Sequence, residues 1–275
     1  MTFLIYLVMI LGGIGMVFGV VKDKQGYPWA RPLTIVCVVV TLLLALTTMM
    51  PDRSQQRIAR QYMEQERRYQ EVVGEKVGRM VAEEYTDGEI LVVAASEEPS
   101  PYLRGLEKGI GNAVSLEVVV PDYARYHREM LEAQGIEVDE FEDMDYRMGP
   151  EGMEMMLSAT LMDETIGAAR QTPNAIVNLV GLPYDIDEMR FWRRRESPPM
   201  IVVSGMGYMG MSNLASRIAR GQIAAMVIRR PDVGLELEAI PRNVEEAFNR
   251  RYILVTSENL DEVAEQYPEM LGVDF

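Results

Sequence analysis

Cysteine and histidine are almost missing from this chain, with one of each in 275 residues. Cys37 lies inside an apolar run, so the polar remainder has no disulfide, no thiol nucleophile and no thiolate metal site, and the redox compartment stays open. With His127 alone, paired-His zinc motifs are excluded, and so is a nucleophile oriented through two histidines. No GxSxG motif occurs, and Ser204 precedes the nearest glycine cluster instead of sitting within it. Positive charge is also short: 27 Lys and Arg face 42 Asp and Glu, a formal net charge of −15. That balance argues against nucleic acid as a partner, since a basic face is the least that phosphate backbones require. These absences leave no catalytic residue and no metal ligand to nominate.

What is abundant first is apolar length. Two runs, Thr2 to Val21 and Leu33 to Met50, are separated by the polar turn Lys22 to Pro32. Each is close to the roughly 18–20 residues a helix needs to cross a bilayer. The expectation is a transmembrane hairpin over residues 1–51, in a two-pass inner-membrane protein that contacts the lipid bilayer and integral membrane subunits. A cleavable signal peptide fits less well, because no basic segment precedes Phe3 and no small-x-small site precedes Lys22. Gly12, Gly13, Gly15 and Gly19 fall largely on one side of the first helix, where they serve either its own partner helix or another subunit. Tyr27 and Trp29 suit an interfacial anchor. Basic residues give opposing signals on orientation: Lys22, Lys24 and Arg31 favour a cytoplasmic loop and an extracytoplasmic domain, whereas Arg53, Arg57, Arg60, Arg67 and Arg68 favour the reverse.

From residue 52 to 86 the chain is charged and proline-free, with Ile58, Tyr62, Tyr69, Val73, Val77 and Met80 at spacings of four and three and one gap of seven, which predicts a long amphipathic helix. Past Asp87-Gly88 the pattern changes. Apolar, β-branched runs at Ile90–Ala95, Leu116–Val120, Ala175–Val180, Met200–Ser204, Ile223–Ile228 and Tyr252–Thr256 alternate with helical stretches, one of them Ile186–Arg195. The expected fold class over 87–275 is α/β, a mostly parallel, doubly wound, Rossmann-like sheet of about six strands.

Three motifs carry possible chemistry. The acidic stretch from Glu137 to Gly152 lacks the glycine and the distal bidentate glutamate of an EF-hand loop and reads as a solvated insertion. Gly205-Met206-Gly207-Tyr208-Met209-Gly210 is a GxGxxG between a strand and a helix, the context of a dinucleotide phosphate site. The next strand ends in Arg229-Arg230, which would suit the 2′-phosphate of NADP. Against that, the motif follows the fourth strand, and the plain alternative is a glycine-rich turn. His127, in a polar helix, reads as a surface residue, and Phe191-Trp192-Arg193-Arg194-Arg195 as a basic helix end.

The phrases Pro173-Asn174-Ala175-Ile176-Val177-Asn178, Pro199-Met200-Ile201-Val202-Val203, Gly221-Gln222-Ile223-Ala224-Ala225 and Tyr252-Ile253-Leu254-Val255-Thr256 resemble the sugar-type periplasmic substrate-binding proteins over about 100 residues. That resemblance implies a binding domain, but the family has two lobes, and the part of this chain after the apolar runs has length for about one lobe or a reduced pair. The reading that follows is a membrane-anchored, non-catalytic accessory or scaffold subunit carrying an α/β binding domain, with a solute-binding sensor and an NADP-binding oxidoreductase as alternatives. A small-molecule ligand is expected at the carboxyl edge of the sheet, near Ser96, Ser100, Asp185, Ser204, Gly205, Gly207, Gly210, Arg229 and Arg230.

Overall fold

The computed structural model describes residues 2–49, 53–133, 135, 157–193, 196–203, 213–234 and 237–271, with backbone alone for 2–7, 9, 43–49 and 53–56. The chain forms two compact units, Met1–Met63 and Glu64–Phe275.

In the first unit, helices α1 (Thr2–Lys24) and α2 (Ala30–Met49) pack together as a hairpin. The packing is close because α1 presents glycine where α2 presents small polar side chains. A methyl group at Gly15 would come 2.8 Å from Cys37 Sγ, and methyls at Gly12 and Gly19 would collide with the Thr41 and Thr34 hydroxyls. At the turn, Lys22 Nζ donates to Gln25 Oε1 at 2.8 Å and stands 5.0 Å from the Tyr27 ring centroid. The membrane expectation is corrected here: among the described residues, no helix is long and apolar enough to cross a membrane. The transmembrane hairpin, the two-pass inner-membrane location and the role as accessory subunit of a membrane complex fall with it.

The second unit is built on a six-stranded sheet in the order β2-β1-β3-β4-β5-β6, from β1 (Glu89–Val93), β2 (Ser115–Val119), β3 (Ala175–Asn178), β4 (Met200–Val202), β5 (Ile223–Arg229) and β6 (Tyr252–Thr256). The first five strands pair in parallel and β6 pairs antiparallel to β5, so the sheet is mixed. All residues of β1 but Glu89 are buried, and β3 and β4 are buried throughout, which is why those segments are apolar on both alternations. Alternate strand residues feed two cores. Leu91, Val93, Ile176, Met200, Val202, Met226 and Ile228 pack under α6 (Ala159–Gly167), α7 (Leu214–Ala219) and α9 (Leu260–Gln266). Ile90, Val92, Val177, Ile201, Val203 and Val227 pack under α3 (Arg53–Glu84), α4 (Pro101–Ile110) and α8 (Val244–Arg251). Helix α5 (Tyr123–Ala133) lends Tyr123 and Tyr126 to the first core, and a short α10 (Pro268–Leu271) follows α9.

Helix α3 reaches the sheet through Tyr69, Val73, Val77 and Val81, a strict four-residue stripe that is fully buried. Burial of each valine is worth about 1.5–3 kcal/mol. Its flank meets α4 with backbone against backbone. Gly74 and Gly78 of α3 face Gly105 and Gly109 of α4, and a methyl on any of the four would collide with a carbonyl oxygen of the other helix. Glu75, between the two glycines of α3 and almost fully buried, accepts from Arg79 Nη2 at 2.5 Å and Lys108 Nζ at 2.6 Å. Desolvation raises its pKa, but the hydrogen bonds and charges of Lys108 and Arg79 outweigh that, and the carboxyl is held below its ordinary value.

One expected helix is absent. The described part of the stretch expected at Ile186–Arg195, which ends at Arg193, holds two short 3-10 turns, at Ile186–Glu188 and Phe191–Arg193. The Asp163 carboxylate takes the amides of Arg190 at 2.7 Å and Phe191 at 2.9 Å, so those groups are withdrawn from a helical ladder. Ile186, Met189, Phe191 and Trp192 are buried and fix the segment on the core. The acidic insertion Glu137 to Gly152 lies outside the described residues.

Two outcomes follow. Gly105→Ala lowers stability by about 3 kcal/mol, the upper end for overpacking because the obstacle is backbone, read as a lower urea midpoint; Gly167→Ala, with nothing within 4 Å of the new methyl, leaves the midpoint unchanged or higher. Because the Glu75 pKa is depressed on folding, its contribution is complete above the unfolded value, near 4.5, and fades as pH falls through the folded value. Thermal melts of wild type and Glu75→Gln should therefore differ most above pH 4.5 and draw together as pH falls below it; a gap that stays constant to pH 3 contradicts this.

Candidate functional site

In the order β2-β1-β3-β4-β5 the chain turns to one side of β1 for β2 and to the other for β3. The loops leaving the carboxyl ends of β1 and β3 therefore part, and in open α/β sheets the crevice at such a reversal is where ligands bind. Here those loops are 94–100 and 179–185.

The loop after β3 is shaped by Asn178, which is fully buried at the strand end. Its Nδ2 donates to the Gly181 carbonyl at 2.5 Å, and its Oδ1 accepts from Val180 N at 3.0 Å. Gly181 takes φ 88°, a left-handed conformation that glycine adopts without a Cβ clash. Leu179, Val180 and Leu182 fold inward, and the chain then delivers Tyr184 outward at 73% exposure. The Asp185 charge pushes the Tyr184 hydroxyl pKa up, with desolvation, Tyr126 and Glu188 adding to it. Tyr126 and Tyr123 enter from α5, half-buried against the core beyond β2.

Two expected ligand residues are occupied as helix caps. Asp185 Oδ1 accepts from Ala159 N at 2.6 Å and Ser158 Oγ from Leu161 N at 3.2 Å, so two amides at the start of α6 are satisfied. Ser100 caps α4 by accepting from Leu103 N at 3.1 Å, with Pro101 at the first helical position. Ser96 is exposed and donates to the Glu98 carbonyl at 3.3 Å. The loop is tied down by Arg104, which donates to the Pro99 carbonyl at 2.8 Å and pairs with Glu71 at 3.0 Å. Ser96, Ser100 and Asp185 thus line the reversal. Arg229 and Arg230 lie at the end of β5, with β4 between it and β3. Arg230 is held against the last turn of α8: its amide donates to the Arg251 carbonyl at 2.8 Å and its Nε to Asn249 O at 3.0 Å. Ser204, Gly205, Gly207 and Gly210 lie outside the described residues. Among the described residues, no group of three His, Cys, Asp or Glu is placed to hold a metal.

Asn178 was not among the expected residues. Its signal was present, a single amide in the otherwise apolar run Ala175 to Val180.

No family model and no curated protein matches the sequence. Among solved structures, the chain is similar to a XylFII-LytSN complex, with TM-score 0.38 and 11% identity over 69% of this chain and 60% of that one. It is similar to a carbohydrate transporter from Acidothermus cellulolyticus 11B in complex with myo-inositol, with TM-score 0.37 and 13% identity over 74% and 62%. A third is GanP, a glucose-galactose binding protein from Geobacillus stearothermophilus, with TM-score 0.36 and 12% identity over 72% and 54%. The resemblance seen in the sequence is met again among these neighbours, which are carbohydrate-binding types by their descriptions in two cases of the three. The chain spans less than two thirds of the length of each, and a likeness of this size assigns neither ligand nor activity.

Asn178→Ala leaves Val180 N and the Gly181 carbonyl without their buried partner, at about 1–3 kcal/mol. The thermal midpoint should fall accordingly, by more than for Ser100→Ala, a cap whose loss costs about 1 kcal/mol.

Proposed function

We propose that this chain is a non-catalytic solute-binding domain that takes a small polar molecule at the carboxyl ends of β1 and β3. The observation that carries the reading is the reversal of strand order at β1, with loop 94–100 on one side and loop 179–185 on the other. Tyr184 offers an exposed ring there, and aromatic faces suit the apolar face of a sugar ring as well as other flat solutes. Carbohydrate is the first class to try, as in the myo-inositol complex of the transporter from Acidothermus cellulolyticus.

Two features favour binding over catalysis. The polar groups best placed at the reversal, Ser100 and Asp185, are engaged with backbone amides that cap helices. His127, the only histidine, sits on α5. No resident cofactor belongs to this reading. The NADP alternative would use Gly205, Gly207 and Gly210 at the end of β4, one strand beyond the reversal.

The test is a thermal-shift screen of the full chain against monosaccharides and cyclitols. A true ligand at 100 times its dissociation constant stabilises by about 2.7 kcal/mol, and Tyr184→Ala, at an exposed position, should remove that gain while leaving the unliganded midpoint in place. A gain that survives Tyr184→Ala places the ligand elsewhere. Stabilisation by NADPH alone, lost in Gly207→Val, would replace this reading with the oxidoreductase.

A further inference from the structure

The β2 edge of the sheet is held differently from the rest of the second unit. Strand β2 has no fully buried residue, and none of the 11 residues of α5 is buried. By contrast α4 buries Leu103, Leu106 and Ile110, and α6 buries Leu161, Met162 and Ile166. Helix α5 meets the first core through Tyr123 and Tyr126, both half-buried. Across to α6 it reaches with Arg125, whose guanidinium pairs with Glu164 while also standing 3.3 Å from Glu129 and 3.6 Å from Asp122. Arg125 and Glu164 are each about half exposed, and ion pairs at such positions hold weakly. The chain enters α5 through Pro121, which is buried, and Asp122, whose Oδ1 accepts from Arg125 N at 3.0 Å. Helix α6 also receives the loop after β3, through Asp185 on Ala159 N. Helix α5 and that loop are thus attached to one helix, and Tyr126 lies near enough to the Tyr184 hydroxyl to add to the rise in its pKa.

We propose that α5 is a movable wall of the β1/β3 site, pivoting at Pro121 and Asp122 and latched to α6 by the Arg125–Glu164 pair. This rests on the solute-binding reading and adds to it how the site closes. A helix that buries no side chain stands at the low end of local stability, from which binding elements that move are drawn. With the latch made, Tyr123 and Tyr126 rest on the core. With it broken, the helix swings out and carries both rings with it, while loop 179–185 stays in place because Asn178 and Asp185 hold it. A solute seated between the loops touches α5 in the closed position alone, and so shifts the population toward it.

Hydrogen exchange of the full chain without added solute, resolved by peptide mass, tests the latch. The amides of 123–133 should exchange about tenfold faster than those of 101–110 and 159–167, helices of similar length. Glu164→Gln should speed exchange over 123–133 a further few-fold and leave 101–110 as it was. Glu71→Gln removes an equally exposed pair, the one Arg104 of α4 makes, and should leave 123–133 unchanged. Protection of 123–133 equal to that of α4 overturns the proposal, and so does exchange in Glu164→Gln that matches wild type. A monosaccharide or cyclitol that stabilises the chain should also slow exchange over 123–133. Stabilisation with no change there overturns the role of α5 as a wall and leaves the binding reading standing. If no such solute stabilises the chain, the binding reading fails, while the rates without solute still decide the latch.

Discussion

The second unit depends on the contact of two helix backbones without side chains between them. Gly74 and Gly78 of α3 lie against Gly105 and Gly109 of α4, close enough that a single methyl would strike a carbonyl oxygen. This proximity lets both helices cover one face of the sheet, with Val73, Val77 and Leu106 all reaching the same core. The contact is reinforced at its margin by Glu75, which binds Arg79 of its own helix and Lys108 of the other. A buried carboxylate is tolerable there because it keeps two charged donors, and the helices gain a register as well as a separation. Small-residue spacing of this kind is familiar from membrane helices. Here it works inside an α/β layer.

The same device explains what the sequence made legible and what it did not. Six β-branched apolar runs became six strands, and in β1, β3 and β4 burial on both faces is the reason, as Ala175 to Asn178 illustrates. The long helix was readable from Tyr69, Val73 and Val77, whose spacing survives in the buried stripe. What failed was decided by groups distant in sequence. The stretch Ile186 to Arg195 has helical composition, yet Asp163 captures two of its amides. The apolar N-terminal runs formed a hairpin, but their length and lack of charge led to a membrane reading that the described helices do not meet.

The candidate site shows the same division. A ligand was expected at the carboxyl edge, and of the residues named for it Ser96, Ser100 and Asp185 sit on the loops after β1 and β3. Their capping contacts were not readable. Asp185 caps a helix that begins 26 residues earlier in the chain, a partnership that no local pattern announces. Asn178 was passed over because it looked like one more strand residue, although an amide buried in a strand has to satisfy its polar atoms, and here it does so by folding the loop that presents Tyr184.

The pairing of β1 with β3 joins Ile90 to Ala175, so the chain must close a long loop before the central strands can meet. The entropy of closing a flexible loop grows only with the logarithm of its length, about 0.6 kcal/mol for each doubling. The acidic insertion from Glu137 to Gly152 sits inside that loop, where added or lost residues barely alter the equilibrium. Their effect falls on kinetics instead, since distant pairings form slowly. Closure entropy therefore sets only a small penalty on a change in the length of the chain between the central strands.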